Sequence, residues 1–69
     1  MGALPVLIEL HSYFRESAAA AERHASAARR RDDAAGADVL DAEAGAFRHA
    51  ADMVRTYMTT RAEGVEDGA

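Results

Sequence analysis

The sequence has no cysteine, which removes disulfides and thiolate metal sites from the devices that hold a small chain together. It has a single proline, Pro5, placed where the first turn of a helix tolerates it, so no later proline interrupts a helix. No apolar run approaches the roughly 20 residues of a bilayer-spanning helix; residues 4–10 come nearest, and Pro5 and Glu9 break them. The same stretch lacks the basic flank and length of a secretion signal. With the missing cysteines, this reads as a cytoplasmic protein that makes no use of a membrane. A basic surplus is lacking as well: 8 basic against 12 acidic residues leave a net charge of −4, the wrong balance for general nucleic-acid binding. No glycine-rich elbow accompanies Ser12, Ser17 or Ser26, and no Glu-x-x-His pair accompanies His11, His24 or His49, so neither hydrolase nor di-iron chemistry finds its residues. The expectation is a non-enzymatic chain with no catalytic residue, no cofactor and no metal.

What the sequence has is helix-forming material. Alanine fills 18 of its 69 positions and all eight basic residues are arginine; with leucine and glutamate these are among the strongest helix formers. A helix is predicted over about 5–35. Gly36 can take the left-handed conformation just past a helix end, with a turn at 36–37. Asp38 is then an N-cap, Asp41 makes an imperfect capping box, and a second helix runs over about 38–63. Residues 64–69, glycine-containing, acidic and without period, read as a frayed, disordered tail. The fold class is all-α: one antiparallel two-helix hairpin in a single domain.

Both segments are amphipathic when residues are placed at about 100° intervals. A first stripe holds Leu7, Leu10, Phe14, Ala18, Ala21, Ala25 and Ala28 on the first helix, and Leu40, Ala44, Phe47, Ala51, Val54 and Met58 on the second. These are heptad-like seams. A turn at 36–37 makes facing residue numbers total 73, which sets Phe47 against the Ala25 region and Val54 against residues 18–20. Beside the seam runs a second stripe, Val6, Tyr13, Ala20, His24 and Ala27, answered by Val39, Ala46, Ala50, Met53 and Tyr57. A lone hairpin cannot bury both stripes, so the reading is a homodimer or other homo-oligomer, in its simplest form a four-helix bundle.

The candidate interaction surface is Leu4, Val6, Leu7, Ile8, Tyr13, Ala20, His24, Ala46, Ala50, Met53 and Tyr57. The first four enter it as an overhang: a second helix ending near Glu63 would leave Leu4, Val6, Leu7 and Ile8 uncovered. His24, inside the second stripe, is expected to be partly buried with its ring hydrogen-bonded; the alternative reading is a pH-sensitive contact, since histidine titrates near neutrality. The run Arg29-Arg30-Arg31 complements a helix C-terminus, and Glu43 is expected to pair with Arg30 across the hairpin. The function read from this is a helical interaction protein that self-associates and can offer a surface to a protein partner, as adaptor, regulator or assembly subunit. Two alternatives stand beside it: a small acidic inhibitor or decoy that binds a basic protein, and a metal-binding bundle using His24, His49 and Glu43.

Overall fold

The computed structural model describes the backbone of residues 3–68 and the side chains of residues 3–61. Two helices, α1 (Ala3–Arg30) and α2 (Ala34–Gly68), pack against one another as a hairpin. The all-α expectation holds; the position of the turn does not. The chain reverses at residues 31–33, and Gly36 lies inside α2 without a positive φ.

Hydrogen bonding explains the displacement. Asp33 N donates to Ala28 O at 2.8 Å and Asp32 N to Arg29 O at 3.0 Å, the paired bonds that close a helix in a Schellman motif. The left-handed residue this motif needs is Asp32, at a φ of 62°. Aspartate is among the few side chains that visit this region without glycine's freedom. Asp33 then caps α2: its Oδ1 accepts from Gly36 N at 2.9 Å, an N-cap bond to the third amide of the helix. Gly36 serves that cap, because a Cβ there would lie 2.3 Å from Asp33 Oδ2. The N-cap assigned to Asp38 therefore belongs to Asp33. At the far end α2 continues as helix through Gly68, past the expected stop at 63 and through most of the expected tail. No proline blocks it, and glycine in a helix costs only about 1 kcal/mol. Ala69 lies outside the described residues.

Moving the turn resets every facing pair. Ala25, Ala28 and Ala37 cluster with Leu40 against them, so the facing numbers 28 with 37 and 25 with 40 total 65, eight less than a turn at 36–37 implies. Extended along the hairpin, the same total sets Phe47 opposite Ala18, and Met58 opposite Leu7. Phe14 and Phe47, in adjacent layers, bring their ring centroids to 6.3 Å. Leu7 is thus half-buried in the seam and has a partner, which overturns the overhang as the reason for its exposure. Leu10 leaves the seam, 38% exposed, and His11 takes its place half-buried. Ala37, which lies outside the seam expected from periodicity, is the most buried residue of all.

Among the described residues the buried set is alanine alone: Ala18, Ala21, Ala25, Ala28, Ala37, Ala44 and Ala51. Each methyl contributes only about 0.8 kcal/mol, against about 1 kcal/mol or more of backbone entropy for every ordered residue. Shape makes the same point. The Cα radius of gyration is 16.1 Å, where a compact chain of this length would have about 11 Å, and the shortest extent is 10 Å, one layer of helices.

Two substitutions test the turn. Asp33→Ala should lower stability by about 1 kcal/mol through loss of the cap. Gly36→Ala should be close to neutral alone, because added helix propensity offsets the displaced cap. In the Asp33→Ala background it should stabilise by up to about 1 kcal/mol. A thermal-denaturation double-mutant cycle reads this coupling; additive effects would mean that Gly36 and Asp33 do not share the cap.

Candidate interaction surface

Seven-residue spacing sorts the side chains on either side of the alanine seam. On one side stand Arg15, Glu22 and Arg29 of α1 with Asp41, Arg48 and Arg55 of α2. Two ion pairs cross the seam here, Glu22 with Arg48 and Arg29 with Asp41. They hold the helices in register on this face, and among the described residues they are the ion pairs the hairpin makes. The pair expected between Arg30 and Glu43 does not form, because the new turn moves Glu43 eight positions out of step and to the other side of the seam. Asp41, by its hydrogen bond and then by its charge, raises the Arg29 pKa further above its already high value, so this cation is permanent. Arg29 and Arg30 occupy the last turn of α1, where their charge also complements the helix dipole.

His11, Arg15, Glu22, Arg48, Asp52 and Arg55 line a shallow groove of about 330 Å³ on this same charged side. It brings cations and carboxylates together in nearly equal number, and among the described residues no buried polar atom lacks a partner. Nothing in it is poised as a nucleophile or an oxyanion site.

The other side is apolar, and here the two second stripes meet. Helices paired antiparallel carry like flanks on the same side, so with the ion pairs on one face, the stripes of α1 and α2 form one continuous surface opposite them. Val6, Tyr13, Val39 and Met53 each stand about 60% exposed on it, and Tyr57 is 48% exposed. Ala20, Ala27 and Ala50 form its half-buried floor. A notch of about 420 Å³ opens along α2 where this face meets its outer surface, between Met53, Tyr57 and Thr60 on one side and His49, Asp52 and Thr56 on the other. The Arg61 guanidinium lies 5.7 Å from the Tyr57 ring centroid, within cation–π range.

Eight of the eleven surface residues expected from the sequence fall on this face: Val6, Tyr13, Ala20, His24, Ala46, Ala50, Met53 and Tyr57. Leu4 and Leu7 belong to the open end of the seam, and Ile8 projects on the charged side with Arg15. Leu10, expected in the seam, joins the face instead; the seven-residue spacing from Leu10 to Ser17 to His24 was the available signal. His24 is exposed and not partly buried in the single chain. It and Glu43 are neighbours across the seam on this apolar side, but His49 lies on the outer surface of α2. Among the described residues no group of three or more His, Asp or Glu side chains could hold a metal ion, and none of the described helices is long and apolar enough to cross a membrane.

Comparison with known protein families, with curated proteins and with solved structures returned no match to this chain.

The two faces should respond differently to substitution. Arg48→Ala removes an ion pair whose partners are 57% and 42% exposed, so it should cost under about 1 kcal/mol, and the cost should shrink in molar salt. Phe47→Ala opens the half-buried aromatic layer and should cost about 2–3 kcal/mol, somewhat below the loss at a fully buried site, with no salt dependence. Circular-dichroism melts at low and high salt separate the two; equal salt sensitivity would deny the ion pairs their place as the charged zipper.

Proposed function

We propose that this chain is a non-enzymatic helical interaction protein that works inside the cell, associating with itself through the apolar side of the hairpin and acting as an adaptor, regulator or assembly subunit. One observation carries the reading: a chain whose buried set, among the described residues, is alanine alone places six of its eight exposed large apolar side chains, Val6, Leu10, Tyr13, Val39, Met53 and Tyr57, on one face. Contiguous apolar patches of this kind mark association surfaces, and a small helical scaffold without disulfides or metal gains its missing core by oligomerising. Closed two-fold dimers are the commonest way to do so, and two hairpins stacked on their apolar faces make a four-helix bundle.

An acidic decoy receives less support. It would need an acidic surface, and the charged side mixes arginines with carboxylates that already pair with one another.

Sedimentation equilibrium of the purified chain is the direct test, with a dimer expected at micromolar concentration. Met53→Arg should weaken association at least tenfold while leaving the helix content of the hairpin largely intact, since Met53 lies outside the seam. A wild-type chain that stays monomeric to 100 micromolar would refute self-association.

A further inference from the structure

We propose that the occupant of the apolar face is a second copy of this hairpin, laid face to face with its turn at the opposite end, so that α1 packs on the partner's α1 and α2 on the partner's α2. The arrangement rests on the self-association proposed above and specifies its geometry. Three features of the face point to it.

The first is size. Along α1 the face is large toward the open end, with Val6, Leu10 and Tyr13, and small toward the turn, with Ala20 and Ala27. Along α2 it is likewise large at the open end, with Met53 and Tyr57, and small at Ala46. A copy turned end for end sets large on small at three layers, Tyr13 on the partner's Ala20, Val6 on the partner's Ala27 and Met53 on the partner's Ala46, while Leu10 lies over the partner's His24. Val39 meets the partner's Thr60 at the notch beside Met53 and Tyr57. Copies with their turns at the same end would instead stack Tyr13 on the partner's Met53 and Leu10 on the partner's Tyr57, leaving a thin gap over the alanines. Close packing favours the first.

The second is register. End-for-end pairing on α1 centres on Ser17, and on α2 it centres independently on Ala50. In the hairpin these residues are two positions from facing one another, about 3 Å along the helix. One two-fold axis can therefore pass through both helices at once, as an isologous dimer requires.

The third is charge. Along the outer edge of the face α1 carries Glu9, Glu16, Arg23 and Arg30, seven residues apart, all exposed and, among the described residues, none in an ion pair of the hairpin. Turned end for end about Ser17, Glu16 reaches the partner's Arg23, and Glu9 the partner's Arg30. Their numbers total 39, five beyond the level total of 34. The ion pairs seen in the hairpin have that same offset: 22 with 48 and 29 with 41 total 70, five beyond 65. The cause is common to both, since side chains lean toward the N-terminus of their own helix, and in antiparallel helices residues offset in this sense lean toward each other. The acidic exception on the face is also met: Glu43 comes level with the partner's Tyr57, whose hydroxyl can donate to its carboxylate, with the partner's Arg61 beside it.

Because the chain has no cysteine, single-cysteine variants report the arrangement under mild oxidation. Ser17→Cys should cross-link to itself, and a mixture of Leu10→Cys with His24→Cys should form the mixed disulfide, while a mixture of Leu10→Cys with Tyr57→Cys should not. Charge exchange gives a second readout that leaves the hairpin seam untouched. Glu16→Arg and Arg23→Glu should each weaken the dimer by about tenfold, because each change is felt twice across a two-fold axis. The double variant E16R/R23E should recover wild-type affinity. A dimer in which Leu10→Cys joins Tyr57→Cys, or in which the double variant stays as weak as the singles, would overturn the opposed arrangement while leaving self-association standing. A monomer in the sedimentation experiment would overturn both.

Discussion

The hairpin depends on how closely its two helices can approach. Alanine at most seam positions near the turn, Ala25, Ala28 and Ala37 with Leu40 packed against them, keeps the two helices close, and this closeness lets Glu22 reach Arg48 and Arg29 reach Asp41 across the charged side. It also fixes the weakness of the molecule. Methyl groups exclude little water, so the seam specifies register more than it supplies stability. Large side chains do enter the seam, Phe14 and Phe47 among them, but only half-buried, and six more stand on the flank, where one chain has nothing to set against them. The apolar face and the alanine seam are therefore two aspects of one constraint.

The amphipathic period of each helix was legible in the sequence because helix formation here meets no competing signal. Ala18, Ala21, Ala25 and Ala28 were assigned to the seam, with Ala44 and Ala51 opposite, and the structure buries all six. The turn was misplaced because Gly36 is the residue that ordinarily ends a helix. Here a pair of aspartates divides the work: Asp32 takes the left-handed conformation and Asp33 caps α2. A subtler mark was present. The seam of α1 would continue from Ala28 to positions 32 and 35, whereas that of α2 begins at 37 and 40, and this slip of phase falls where the chain reverses.

An eight-residue error in the facing total propagated into every statement that crossed the hairpin. It created an overhang from Leu4 to Ile8 that the total of 65 removes, since these residues then lie level with Arg61 to Tyr57, and an Arg30–Glu43 pair in place of Arg29–Asp41. Readings confined to one helix survived better: Val6, Tyr13, Ala20 and His24 share a face, as do Ala46, Ala50, Met53 and Tyr57. Local periodicity depends on the backbone alone, but cross-chain geometry depends on a single turn, and that turn is decided by two carboxylate side chains.

The constant facing total of 65 also bears on how the hairpin comes together. Its contacts enclose steadily longer stretches of chain, from the nine-residue separation of Ala28 and Ala37, which touch in the core cluster, to the 51-residue separation of Leu7 and Met58. Closing the longest loop directly would cost about 1.5 kcal/mol more in chain entropy than closing the shortest. Once the aspartate turn has formed, each further layer needs only the ordering of about one more helical turn on either side. The order of least entropic cost is therefore a zipper from residues 31–33 outward, in which the alanine end, poorest in apolar surface, is organised before the aromatic end is brought together.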